Sequence, residues 1–199
     1  RCTGDAARRA GNEYVAQELI QANLDTLGKY RPDRILTGCP HCYNTLKHEY
    51  PKFGAMPDVL HHTAFLADLI QNGRLKPKDK LETTVTLHDS CYLCRWNDII
   101  DAPRQILGAI GGLQIREMDR SGRKGLCCGA GGSRMFMEEK IGKRINIERV
   151  EEVAATNAET LVAACPFCNT MLDDGVKEIA SPVAVKDIAE ILDEATDSS

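Results

Sequence analysis

The residues best equipped for chemistry are the nine cysteines, and they recur with one spacing. Cys2 precedes Cys39-Pro-His-Cys42, and Cys128 precedes Cys165-Pro-Phe-Cys168; the interval from lone cysteine to CxxC is 37 positions in each case (39 − 2 and 165 − 128). The second set also has Cys127, adjacent to Cys128, and Cys91 upstream. Thiolates are soft ligands, so the pattern points to metal. A structural zinc takes four ligands, usually as two close pairs, and suits five thiols poorly when two are adjacent in sequence. Adjacent cysteines binding one ion would close a small strained ring, whereas they can bind different irons of one cluster. A multi-iron cluster is therefore the better fit, although the spacing is not a ferredoxin run. Glycines 129, 131 and 132 would let backbone amides approach cluster sulfides. Two alternatives stay open: buried core thiols, and a dithiol role for either CxxC, since a helix N-terminus lowers a thiol pKa. Cys94 makes a third CxxC with Cys91. It is set aside as a non-ligand, because the other five suffice and the first half has no counterpart.

The elements that must hold these residues alternate between strand and helix. In the first half a helix is expected over residues 12–27, a strand over Arg34–Thr37, a helix opened by Cys39-Pro-His-Cys42 and running through Tyr50, and a helix over 63–70. The second half reads as strand 83–88, a turn carrying Asp89, Ser90 and Cys91, helix 102–110, strand 113–118, the glycine-rich loop 125–132, and a long amphipathic helix 135–155 with Ile141, Ile145, Val150 and Val153 facing inward. Strand 160–164, a helix from Cys165 through Ile179 and a helix over 186–192 complete it. Such alternation predicts an α/β fold of two pseudo-symmetric lobes, each a small, mainly parallel sheet flanked by helices, with cysteine sites at strand C-terminal ends. The Asn72–Lys80 linker divides the chain into residues 1–76 and 77–199. Pro40 and Pro166 suit a first helical turn, whose positive dipole end favours thiolates and an anionic cluster.

Composition narrows the function. With 199 residues, 43% hydrophobic, the chain is long enough for real cores. A net charge of −4, from 29 acidic and 25 basic residues without like-charge blocks, gives no reason to expect a nucleic-acid partner. No apolar run reaches the roughly 18 residues of a membrane span. The odd cysteine count argues for reduced thiols in a reducing compartment. Asp89 has no companion base or nucleophile pattern, and Gly129-Ala-Gly-Gly132 fails the dinucleotide fingerprint.

Cys91, Cys127-Cys128-Gly129 and Cys165-Pro-Phe-Cys168 resemble the cysteine-rich CCG domain that occurs twice in a heterodisulfide reductase component. Cys2-Thr-Gly-Asp5, Cys39-Pro-His-Cys-Tyr-Asn-Thr-Leu46, His61-His62, His88-Asp-Ser-Cys-Tyr-Leu93 and Cys127-Cys-Gly-Ala-Gly-Gly-Ser-Arg134 are similar to bacterial membrane-associated Fe-S oxidoreductases that pass electrons from electron-transfer flavoprotein to quinone. The resemblance implies a 4Fe-4S cluster, in a non-cubane form, at Cys91, Cys127, Cys128, Cys165 and Cys168. It implies a second cluster at Cys2, Cys39 and Cys42 only if an upstream ligand is present, because Arg1 stands where the vicinal cysteine belongs and the counterpart of Cys91 would fall at position −35 (91 − 126). The chain is thus expected to be the C-terminal part of a longer protein. The implied partners are a flavoprotein donor and a membrane portion carrying quinone or haem, with the domain at the cytoplasmic face. The competing functions are catalytic disulfide reduction at the cluster and a zinc-stabilised interaction module.

His61, His62 and His88 are expected at strand ends, as cluster-edge or proton-relay groups or as turn and cap residues. Arg8 and Arg134 follow Cys2 and Cys128 at equal offsets, to offset cluster charge or to form surface ion pairs. Trp96 reads as packing.

Overall fold

The computed structural model describes residues 1–78 and 80–196. Asp79, in the expected linker, and residues 197–199, at the end of the second unit, lie outside them.

The first lobe begins with a short helix, α1 (Asp5–Arg9), and the long α2 (Glu13–Tyr30), whose start is capped by the Asn12 side chain accepting from the Val15 amide. Strand β1 (Arg34–Thr37) leads through Cys39 into α3 (Pro40–Asn44), with Pro40 in its first turn as expected. The expected single helix through Tyr50 instead widens into a π-helical turn over Thr45–Glu49 and tightens to a 3-10 turn over Tyr50–Lys52, where Pro51 withholds an amide donor. Strand β2 (Asp58–His61) pairs in parallel with β1, and α4 (His62–Gln71) follows directly.

The second lobe holds a four-stranded, all-parallel sheet in the order β4-β3-β5-β6. Its strands are β3 (Thr84–His88), β4 (Gln114–Ile115), β5 (Thr160–Ala163) and β6 (Ala184–Asp187). The helices are α5 (Cys91–Cys94), α6 (Asp101–Gly108), α7 (Ile145–Ala155), α8 (Pro166–Glu178) and α9 (Ile188–Glu194). Cys91 therefore opens a short helix, not a turn. The central strands β3 and β5 pack Val85, Leu87 and Val162 against Ile106, Leu107, Ile188 and Ile191 on one side; Leu161 and Ala163 meet Val150, Val153 and Leu172 on the other. Burial on both faces is what parallel sheets require.

Further expectations are corrected. The long helix over 135–155 is confined to α7, preceded by a 3-10 turn at Arg134–Phe136. Gly142 sits at φ +72° and Ile141 is 94% exposed, so the apolar residue counted as inward faces solvent. Strands β2 and β6 fall where no strand was expected, and the helix expected over 186–192 starts only at Ile188.

The repeat is structural as well as sequential. Moved by the 126 positions that separate Cys2 from Cys128 (128 − 2), β1 becomes β5 and β2 becomes β6, and the register Arg34↔Asp58 becomes Thr160↔Ala184. No described helix is long and apolar enough to cross a membrane.

Candidate metal centre

Each CxxC follows a strand's C-terminal end and enters a helix: Cys39 caps α3 after β1, and Cys165 caps α8 after β5. Cys91 begins α5 after β3. Cys127 and Cys128 come from the loop between β4 and α7, where Gly129 takes φ +91°; a Cβ there would lie 3.3 Å from the Ile145 Cβ. In the first lobe Gly4, at φ +88°, serves the loop after Cys2, and a Cβ would meet the Ala16 carbonyl oxygen at 3.0 Å. Both glycines aim backbone N–H groups at sulfur: Gly4 donates to Cys2 Sγ at 3.5 Å and Gly129 to Cys127 Sγ at 3.3 Å.

The sulfurs form one continuous set. Cys127 interacts with Cys91 and Cys128, Cys128 with Cys168, and Cys168 with Cys165. Cys165 reaches across to Cys39, which meets Cys42, which accepts from Thr3 Oγ1 at 3.6 Å. The structure thus brings seven of the eight predicted ligands into a single ribbon, with Cys2 flanking it at the edge of the first lobe. Cys94 lies apart, its thiol donating to the Gly122 carbonyl oxygen at 3.1 Å.

Within the ribbon two sulfurs act as anionic nodes. Donation from Cys128 and then Cys91 holds the Cys127 thiol down to about 2, and donation from Cys168 and then Cys39 holds Cys165 well below the ordinary thiol range. The donors move the other way: Cys127 and Cys165 as acceptors push Cys128 and Cys39 up to about 12 each. Cys91, Cys42 and Cys168 are also raised, by Cys127, by Cys39, and by Cys128 and Cys165 respectively. So many thiols packed together cannot all ionise unaided; positive metal would resolve the conflict by taking all of them as thiolates. With Cys128, Cys165 and Cys168 each no more than 3% exposed, this donor set fits a buried iron–sulfur cluster and exceeds what one tetrahedral ion uses.

The middle residues of the two CxxC motifs also touch. His41 stacks on Tyr92 with centroids 4.0 Å apart and meets the Phe167 ring edge-on at 5.2 Å, so first-lobe and second-lobe motifs share an aromatic wall. His41 Nδ1 lies 2.9 Å from Asp5 Oδ2, and Asp5 also accepts from Thr45 and Arg9. Trp96 is 69% exposed and stacks on Tyr92. Arg8 pairs with Glu13 and Glu49, and Arg134 with Glu139, so both are surface ion pairs. On Asp89, burial opposes ionisation, but a bidentate Arg104 at 2.9 Å to each oxygen and the Gly122 amide hold its carboxyl below the usual range. It anchors the turn before Cys91.

The histidines divide. His61 ends β2, buried, with Nδ1 2.8 Å from Thr63 Oγ1; burial lowers it to about 3. His62 Nε2 approaches Asp187 Oδ1 at 3.4 Å without hydrogen-bond geometry. His88 ends β3, and one of its ring nitrogens and the Cys128 and Cys168 sulfurs lie within 4.8 Å of one another. Its hydrogen-bond partner Arg149, fully buried in α7, is absent from the sequence-based candidates; an arginine on an otherwise inward helix face was the available signal.

A two-lobed α/β scaffold with repeated thiol sites at strand ends defines a cysteine-rich, cluster-binding class. The model of the CCG cysteine-rich domain family matches residues 1–47 and again 85–173, more than half of the chain, and the chain belongs to that family. It is 48% identical to the probable iron-sulfur-binding oxidoreductase FadF of Bacillus subtilis, over 96% of this chain and 27% of that protein. It is 46% identical to the EtfAB:quinone oxidoreductase of Syntrophomonas wolfei, over 96% of this chain and 28% of the other. A component of the dihydromethanophenazine-linked CoB–CoM heterodisulfide reductase of Methanosarcina barkeri is 37% identical over 98% of this chain and 49% of its own length. The chain thus spans between about a quarter and a half of these relatives.

Proposed function

We propose that this chain is the iron–sulfur electron-relay portion of a respiratory oxidoreductase, taking electrons from a flavoprotein and passing them towards quinone or haem in a membrane-bound part. The carrying observation is that the two CxxC motifs meet: the rings of His41, between Cys39 and Cys42, and Phe167, between Cys165 and Cys168, lie with centroids 5.2 Å apart, and Cys39 and Cys165 neighbour each other there. Each 4Fe-4S cluster, when bound, supplies one-electron chemistry; the protein supplies thiolates, burial and orientation. Cys91, Cys127, Cys128, Cys165 and Cys168 would hold the second-site cluster, in a non-cubane form with the vicinal pair on separate irons. The name of the Syntrophomonas relative, an EtfAB:quinone oxidoreductase, supports the flavoprotein-to-quinone direction, and that of the Bacillus relative supports iron–sulfur binding in an oxidoreductase.

Disulfide reduction at the cluster needs room for a substrate beside Cys127 and Cys128. The cleft lined by His41, Ala130, Gly131, Gly132 and Phe167 has a volume of about 20 Å³, room for about one water and not for a disulfide substrate. That favours relay.

The first unit is proposed to be the C-terminal part of a repeat whose opening strands lie upstream. In the second lobe β5 is flanked by β3 and β6, but among the described residues its counterpart β1 pairs only with β2. Leu36 is consequently 50% exposed where its equivalent Val162 is 0%. A cleft of about 560 Å³ opens over Leu36, Cys39, His62, Phe65 and Leu66. The equivalents of the last three, Ile188, Ile191 and Leu192, belong to the core that β3 and α6 fill. A parallel strand and helix bearing the missing ligand fit this cleft.

The relay is tested by mixing the reconstituted protein anaerobically with a reduced electron-transfer flavoprotein and following cluster bleaching by stopped flow. Bleaching within seconds is expected; a cluster reduced by dithionite but inert to the flavoprotein would refute the assigned donor.

A further inference from the structure

Behind the second cysteine set runs a polar chain that thiolate ligation does not explain. Arg149 has no exposed surface. Its Nη1 donates to Glu152 Oε2 at 2.6 Å and to the Arg120 carbonyl oxygen at 2.9 Å, and its Nε donates to His88 Nδ1 at 3.2 Å. Glu152 is fixed in turn by the Arg120 amide at 2.7 Å. A guanidinium can only donate, so His88 Nδ1 must be the acceptor and the ring proton must stand on Nε2. His88 Nε2 is buried and has no hydrogen-bond partner. With Nδ1 committed to Arg149, Nε2 is the nitrogen left to face the sulfurs of Cys128 and Cys168, within the 4.8 Å grouping. A buried N–H left unpaired is costly, and the adjacent atoms able to accept it are those sulfurs.

We propose that His88 donates a hydrogen bond from Nε2 to the sulfur shell of the second site, is held in that tautomer by Arg149, and is not itself a metal ligand. Ligation through Nε2 would need that nitrogen's lone pair while Nδ1 also spends its own on Arg149, which a neutral imidazole cannot do. His88 is therefore a positioning residue. A donor aimed at sulfur stabilises the extra electron of the reduced cluster, so it raises the reduction potential. The device is local to the second unit: the position equivalent to Arg149 is Asn23, whose amide is spent on the Cys2 carbonyl oxygen and Tyr50 Oη. The inference rests on the iron–sulfur reading above.

The test compares anaerobically reconstituted wild type, His88→Leu and His88→Gln, measuring iron, sulfide and midpoint potential by EPR-monitored redox titration. Leucine fills similar space without a donor, and glutamine offers an amide N–H near the place of Nε2. Full iron content in all three is expected, with the second-site midpoint more negative in the leucine variant and most of that shift reversed by glutamine. An unchanged potential in a fully loaded leucine variant would overturn the proposal, as would loss of iron in both variants, which marks a ligand. Because the leucine variant can fail to fold, histidine-selective 15N NMR of the loaded wild type gives a second readout: a protonated Nε2 and bare Nδ1 are expected, and the reverse tautomer would overturn the assignment. A wild type that takes up no iron sinks the parent reading and is recognised before any variant is compared.

Discussion

At the scale of single residues, the cysteines differ by what their sulfurs touch, although one side-chain type supplies them all. Cys168 joins Cys128 to Cys165, so replacing it interrupts the second site at its centre. Cys94 instead donates to the backbone carbonyl of Gly122. Cys168→Ser is therefore expected to lose the second-site cluster, and Cys94→Ser to retain full iron and sulfide; colorimetric iron and sulfide per chain decide it, and iron loss in Cys94→Ser would contradict this partition. That these cysteines would gather was legible from the sequence because 37-residue spacing and adjacency are statements about the chain itself. The His88–Arg149 pair was not, since it joins residues 61 positions apart through a helix-to-strand contact that no local pattern encodes.

At the scale of elements, the motifs are aimed by helix starts. Asp187 caps α9 by accepting from the Ala189 amide at 2.9 Å, with Glu190 returning to the Asp187 amide at 2.6 Å, a reciprocal capping box. Burial opposes ionisation of Asp187, but nearby His62 and the Ala189 amide together hold its carboxyl below the usual range. Its folded value being lower than its unfolded one, the stabilisation is present above the unfolded carboxylate pKa of about 3.9 and is lost as pH falls through the folded value. Asp187→Ala is expected to cost about 1–2 kcal/mol in urea unfolding at neutral pH. The loss should shrink as the solution is acidified below pH ~4; a loss that stays constant with pH would contradict the charge-dependent part. Strand β1 and the starts of α3 and α8 were legible because apolar runs met CxxC and proline. Strands β2 and β6 were not, being four residues each with two polar residues among the four; yet they lie one repeat apart, so the cysteine register carried across the chain would have paired them. The overlong helix before α7 came from counting Ile141 as inward when glycine at 142 had already broken the periodicity.

At the scale of the whole molecule, two lobes related by one repeat meet at their cysteine sets, through Cys39 against Cys165 and His41 against Tyr92 and Phe167. The two-lobe α/β architecture was legible from alternating elements and the doubled spacing. The closeness of the two sets was not, because spacing within each copy says nothing of how copies dock. Their inequality shows in the sheets: among the described residues, four strands around the second site and two around the first. Burying the half-exposed Leu36 under an upstream strand would recover part of the ~1.5–3 kcal/mol that full burial of such a side chain provides.

The most direct measurement is metal and acid-labile sulfide content, with visible and EPR spectra before and after dithionite, on this chain and on one extended upstream through the missing ligand. A brown chain with iron and sulfide at one site, bleached by dithionite, and an extended chain carrying twice the iron with a second EPR signal are the predicted results. A colourless protein holding zinc without sulfide would contradict the iron–sulfur account, and identical iron and spectra in the two would contradict the unequal pair of sites.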